Sequence, residues 1–142
     1  MIVVDASVAA KWYLPEVGSD AALGLLAGPH LLYAPELVRI EVLAALARRV
    51  RTGEAKTEET RRRCSIWRRH LDAGAISLVS DREIIEEALG LSLGIPHNLQ
   101  DCLYLALAKR LDASLVTADR VFHERAMPHF SRMTLLPGCE AN

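Results

Sequence analysis

The sequence predicts an α/β fold, a single domain with a central, mostly parallel sheet flanked by helices in an α/β/α arrangement. Three observations carry that expectation. Short apolar runs rich in β-branched residues, such as Ile2-Val3-Val4 and Leu115-Val116, have no polar face, which marks strands covered on both sides. These runs alternate along the chain with longer stretches of helical period. Finally, 142 residues, of which 51% are apolar and 25% charged, amount to one domain with a core of usable size and exclude a disordered chain. The domain is expected over 1–136, with a tail over 137–142.

Each element follows in order. Ile2-Val3-Val4 is the first strand. Ser7 is placed to cap the next helix, whose buried side is Val8, Ala9 and Trp12 and which Pro15 ends. A second helix runs from Asp20 to Ala27 and closes at Gly28-Pro29. Leu31 to Ala34 is another short apolar run, after which Pro35 suits the first turn of a long helix reaching about Arg51. Gly53 separates it from a helix over 56–72. Ala75 to Val79 is a strand candidate, and Asp81 caps a helix through about Leu93. Asn98 caps the helix from Leu99 to Leu111. A strand over Ser114 to Thr117, a short helix near 120–127 and an edge strand at Met133 to Leu136 complete the chain.

Charge is balanced globally, at −1, and unbalanced locally. Residues 39–70 hold ten basic and four acidic side chains, and the rest of the chain seven and fourteen. A basic insert on an acidic body suits a phosphate-binding face, with Arg61, Arg62, Arg63, Arg68 and Arg69 as its candidates. The plainer reading is a solvated helix surface with Glu58–Arg62 and Glu59–Arg63 pairs. Three widely spaced cysteines form no CxxC pair and fit a reducing cytoplasm. No apolar run approaches the roughly 20 residues of a membrane span, and the first residues lack the basic lead of a secretory signal. A cytoplasmic protein is expected.

Four carboxylates stand where a fold alone does not ask for them. Asp5 follows the first strand and Asp119 lies two residues beyond the run ending at Thr117, at the sheet edge where open parallel sheets bind ligands. Either is equally readable as a helix cap or turn aspartate. Glu41 has Leu37, Val38, Ala44 and Ala45 three and four residues away, so it faces an apolar surface unless it snorkels or pairs with Arg48 or Arg49. Asp101 occupies a capping-box position after Asn98, yet shares its face with Tyr104, Leu105 and Ala108. If the strands ending near 5 and 117 are neighbours, the four acids converge. Clustered carboxylates need protons or cations among them, and an all-oxygen donor set suits Mg²⁺ or Mn²⁺ better than zinc.

Met1-Ile2-Val3-Val4-Asp5-Ala6-Ser7 with Lys11-Trp12 resembles the opening of a PIN-domain protein of the VapC toxin type. The stretches Pro35 to Leu46, Gln100 to Ala108 and Leu115 to Phe122 resemble the family's later acidic motifs, in order and nearly end to end. The resemblance implies a PIN-like fold and a Mg²⁺-dependent endoribonuclease in which Mn²⁺ can substitute. It carries the catalytic metal site onto Asp5, Glu41, Asp101 and Asp119, with Ser7 and Thr117 as supporting hydroxyls. It further implies an RNA substrate, a homodimer and a cognate VapB-like antitoxin. Gln100, where many relatives carry an aromatic, and Arg120-Val121, where some carry another acid, depart from the pattern and bear on a second metal rather than the first.

Competing readings are weaker. His123-Glu124 begins an HExxH pattern that Met127 breaks, and the five histidines show no ligand spacing. No phosphate-cradling or nucleophile-elbow motif occurs. A receiver-type signalling domain wants adjacent acids after the first strand and a late lysine, but Ala6 follows Asp5 and no lysine lies beyond Lys109. An inactive RNA- or protein-binding module of the same fold is the remaining alternative. Trp12 and Trp67 read as base-stacking faces or as core, and the apolar residues of 37–50 as a dimer face or as internal packing.

Overall fold

The computed structural model describes residues 1–140 and shows five parallel strands in the order β3-β2-β1-β4-β5, flanked by helices. The strands are β1 (Ile2–Val4), β2 (Leu32–Pro35), β3 (Ser77–Val79), β4 (Ser114–Thr117) and β5 (Met133–Leu135). The helices are α1 (Ala6–Ala9, continued by a 3₁₀ turn over Ala10–Trp12), α2 (Ser19–Ala27), α3 (Val38–Arg51), α4 (Thr57–Asp72), α5 (Asp81–Gly94), α6 (Leu99–Arg110) and α7 (Arg120–Ala126). The chain builds outward from β1 through β2 to β3, then returns to lay β4 along the other side of β1. Strand order therefore reverses between β1 and β4, and a crevice opens at the carboxyl ends of the strands at such a point. Their register aligns Val4 with Val116, so Asp5 and Thr117 leave the sheet side by side.

Burial explains the placement of the elements. Val3, Val4 and Leu115 are fully buried, as expected of strands with no polar face. In α6 every residue from Cys102 to Ala108 is buried, because α5 covers the helix on one side while it packs on β1, β2 and β4. A helix apolar all round must be enclosed in this way. Gly53, at φ +77°, reverses the chain between α3 and α4 in a conformation that favours glycine.

Several local expectations are corrected. Pro35 does not open a helix: it ends β2 opposite Val79, and α3 begins at Val38. The pairing of β1 with β2 stops at Tyr33, so the missing N–H of Pro35 breaks no ladder on that side. Ser7 lies inside α1, whose cap position is Asp5, and its hydroxyl is engaged elsewhere. Asp81 is the first residue of α5, and its carboxylate accepts from the backbone N–H of Leu37 at 3.2 Å, serving the start of α3 instead of its own helix. Asn98 does cap α6, accepting from Asp101 N–H at 2.8 Å. Cys139 of the expected tail packs against the core, and residues 141–142 lie outside the described residues.

The tryptophans are core residues. Trp67 is fully buried, its ring against Trp12 (6.3 Å between centroids) and Tyr13 (5.8 Å), which leaves it no face for a base. Trp12 donates its indole N–H to the carbonyl of Ala22 at 2.8 Å. Trp67→Ala is expected to cost about 3–5 kcal/mol of unfolding free energy, the usual loss for a buried large aromatic, and urea unfolding checks it.

Candidate active site

The site grows from the junction of β1 and β4. Asp5 follows β1, and its backbone N–H donates to Val116 O at 3.0 Å, tying the two strand ends together. Its carbonyl accepts from Val8 and Ala9, which starts α1. The side chain turns inward and is 3% exposed. Its Oδ2 accepts two hydroxyls, Ser7 Oγ at 2.5 Å and Thr117 Oγ1 at 2.8 Å. Each hydroxyl in turn accepts a backbone N–H, Ser7 from Ala118 and Thr117 from Asp119, both at 3.0 Å. A carboxylate oxygen only accepts, so each hydroxyl donates to Asp5, and the two hydroxyl oxygens lie 3.3 Å apart.

Glu41 reaches the same region from α3. Its Oε1 accepts from the hydroxyl of Tyr104 in α6 at 2.7 Å, and neither Arg48 nor Arg49 pairs with it. Asp101, in the first turn of α6, has Oδ2 bonded by Asn98 Nδ2 and by His97 Nε2, each at 2.7 Å. Asp119 caps α7, its Oδ1 accepting from Phe122 N–H at 3.0 Å, and its own N–H joins the chain through Thr117 to Asp5. Asp5, Glu41 and Asp101 are close enough to act on one another's charge, whereas Asp119 is joined to them through the hydroxyl relay.

The electrostatics follow from burial without a countercharge. Burial pushes the Asp5 carboxyl up to about 6, its two hydroxyl donors pull it down and the Asp101 charge raises it further. Glu41 rises to about 7, first through burial and then through Asp5, Asp101 and Asp81, against the lowering effect of Tyr104. No lysine or arginine forms an ion pair with Asp5, Glu41, Asp101 or Asp119 among the described residues. The nearby cations are committed to each other's neighbours: Lys11 bonds Glu16 at 2.9 Å, and Arg49 bonds both Glu16 and Glu54. With Arg48 they line a crevice that also takes in Ser7 and Asp119. The five arginines singled out from sequence all lie on α4. Four of them are exposed, and Arg63 pairs with Glu59 at 2.7 Å.

Two partners of these acids were not read as such from sequence. Tyr104 was legible only as an interior neighbour of Asp101, with no sign that its hydroxyl serves Glu41. His97 stands four residues before Asp101, a spacing that pairs side chains along a helix, but it precedes the helix itself. Among the described residues no three carboxylate, thiol or imidazole groups form a finished metal cage.

A family model for the PIN domain matches residues 2–127. The chain belongs to the PIN-domain family. It is similar to Ribonuclease VapC3 of Pyrobaculum aerophilum, with 29% identity over 125 residues, 87% of this chain and 93% of that protein. Its fold matches that of a chain in a toxin–antitoxin complex from Klebsiella pneumoniae at a TM-score of 0.62 and 15% identity, covering 94% and 96% of the two chains. In this PIN domain the acids sit at the strand-order reversal, and no helix among the described residues is long and apolar enough to cross a membrane.

Because Asp5 and Glu41 bind protons more tightly folded than unfolded, their contribution to stability is complete below about pH 4. It is lost as pH rises through about 6 and about 7. The carboxylates with lowered values, Glu54, Glu87 and Asp112, do not titrate in that window. In chelator, the protein is expected to lose stability between about pH 5 and pH 8, with Asp5 supplying about 1–2 kcal/mol of the loss. Asp5→Asn, which keeps an oxygen for both hydroxyls, should remove that share, and urea melts across pH measure it.

Proposed function

We propose that this PIN domain is a Mg²⁺-dependent endoribonuclease, the toxin of a toxin–antitoxin pair, that hydrolyses RNA phosphodiester bonds at Asp5, Glu41, Asp101 and Asp119. The observation that carries the reading is the mutually repelling set of buried Asp5 with half-buried Glu41 and Asp101, with which no lysine or arginine among the described residues pairs. An all-oxygen set of this kind fits a hard divalent cation. Mg²⁺ keeps several of its waters and takes few protein ligands, so an incomplete protein shell suits it. The kinship with Ribonuclease VapC3 supports the reaction class, and the fold shared with a chain of a toxin–antitoxin complex supports the setting.

Asp5, Glu41, Asp101 and Asp119 would hold the ion. When bound, it supplies Lewis acidity to the phosphodiester and to the water that attacks it. The chain's own residues do the positioning. Ser7 and Thr117 both hold Oδ2 of Asp5. Tyr104 anchors Glu41 through Oε1, and burial raises the Glu41 carboxyl to about 7. Arg48 lines the crevice beside Ser7 and Asp119, together with Lys11 and Arg49 in their pairs with Glu16 and Glu54, and an RNA backbone would compete for these cations. The exposed arginines 61, 62, 68 and 69, with Arg63, extend that charge along α4. A VapB-like antitoxin would cover the crevice, and the active form is a homodimer.

Two experiments test this reading. RNA cleavage by the purified protein should stop in EDTA, return with Mg²⁺ or Mn²⁺, and fall at least about 100-fold in Asp5→Asn, whose fold the pH melts monitor. Persistence of cleavage in chelator overturns the metal mechanism. Replacing Arg61, Arg62 and Arg63 by alanine should weaken binding of single-stranded RNA and flatten its salt dependence, by about 0.7 in the log–log slope per lost phosphate contact. An unchanged slope returns α4 to a solvated surface or to the antitoxin.

A further inference from the structure

Asp101 is held by more than its own helix. The loop between α5 and α6 brings His97 over α7, where its ring stacks on Phe122 with centroids 4.9 Å apart and planes 9° from parallel. Its side chain is only 5% exposed. The backbone is fixed as well, since the carbonyl of His97 accepts from Ser92 Oγ in α5. Nε2 lies 2.7 Å from Asp101 Oδ2, and Nδ1 lies 3.4 Å from Arg125 Nη1. A guanidinium only donates, so Nδ1 is the acceptor and Nε2 carries the proton. The imidazole thus donates to the carboxylate in a defined tautomer. Asn98 Nδ2 reaches the same Oδ2 at 2.7 Å, which places it 3.4 Å from His97 Nε2. Two donors therefore meet at one oxygen of Asp101, and among the described residues no hydrogen bond reaches Oδ1.

The second anchor of the ring lies beside another acid. Phe122 donates its backbone N–H to Asp119 Oδ1 while its ring carries His97, so one residue contacts the supports of both Asp101 and Asp119. We infer that His97 is a positioning residue, a ring clamped on Phe122 that holds Asp101 Oδ2 and presents Oδ1 as the oxygen that binds a divalent cation. The inference rests on the metal-dependent nuclease reading. Donors behind ligating carboxylates commonly account for about 10–100-fold in metal affinity.

Two substitutions separate the donor from the ring. His97→Phe keeps an aromatic face for Phe122 and removes the N–H, whereas His97→Gln keeps an amide donor at similar reach and removes the stack. Mn²⁺ binding to chelator-stripped protein is measured by calorimetry, alongside thermal melting without metal. The expected result is that His97→Phe melts close to wild type but binds Mn²⁺ about 10-fold or more weakly. His97→Gln is expected to melt lower and to recover most of the affinity. If His97→Phe does not fold, His97→Leu, which lacks both ring and donor, must bind Mn²⁺ more weakly than His97→Gln. Wild-type affinity in His97→Phe, or affinities that simply track the melting temperatures, would make His97 a packing residue and overturn the inference. Failure of the wild-type protein itself to bind Mn²⁺ overturns the nuclease reading, an outcome told apart because it does not involve the variants.

Discussion

The structure turns on one buried carboxylate. Asp5 closes β1, ties it to β4 through its N–H, starts α1 with its carbonyl and receives two hydroxyls on Oδ2. Burying a carboxyl costs several kcal/mol unless donors surround the charged form. Here Ser7 and Thr117 provide them, and each is oriented by a backbone N–H from the segment that follows β4. The segment leading to Asp119 is thus fixed by the same bonds that solvate Asp5. A hydrophobic residue at position 5 would keep the backbone tie to Val116 but leave both hydroxyls without their carboxylate acceptor.

This arrangement gives the remaining acids their character. Glu41 and Asp101 come from different helices, α3 and α6, and no lysine or arginine among the described residues pairs with either: Tyr104 holds the first, Asn98 and His97 the second. Hydroxyl and amide donors orient a carboxylate without cancelling its charge. The basic side chains nearby are drawn off by Glu16 and Glu54, which bind Lys11 and Arg49. A set of carboxylates kept oriented, partly desolvated and unneutralised lowers the protein's own stability at neutral pH. Such a conflict between local stability and the rest of the fold is the usual mark of a functional site.

What was legible in the sequence follows from the range of the interactions concerned. The strands and most helices were readable because their apolar patterns are local, and Asn98 was recognisable as a cap because its partner is three residues away. Pro35 misled because its fixed φ suits a strand end as well as a helix start, and only the register of β2 against β1 decides between them. Ser7 misled for a similar reason: its hydroxyl serves Asp5 and Ala118, and the latter lies 111 residues away. Glu41 and Asp101 stood out as charges on apolar faces, and Asp5 and Asp119 as acids just beyond strand ends. Their partners did not, since nothing near Glu41 in sequence points to Tyr104, 63 residues on.

Asp119 shows how one side chain serves both fold and site. Its cap bond to Phe122 is the structural reading of a turn aspartate, and it is present. A cap uses one oxygen, however, and among the described residues no hydrogen bond reaches Asp119 Oδ2. The same division recurs at Asp5, where both hydroxyls meet Oδ2, and at Asp101, where both donors meet Oδ2. Glu41 follows it with Oε1 on Tyr104. In each of the four carboxylates the hydroxyl, amide, imidazole or cap donors named here meet at a single oxygen, an arrangement that suits rigid presentation to a shared cation. On the proposed nuclease reading, each acid serves the scaffold and the cation with one side chain. A helix cap at Asp119 is part of how that acid is aimed.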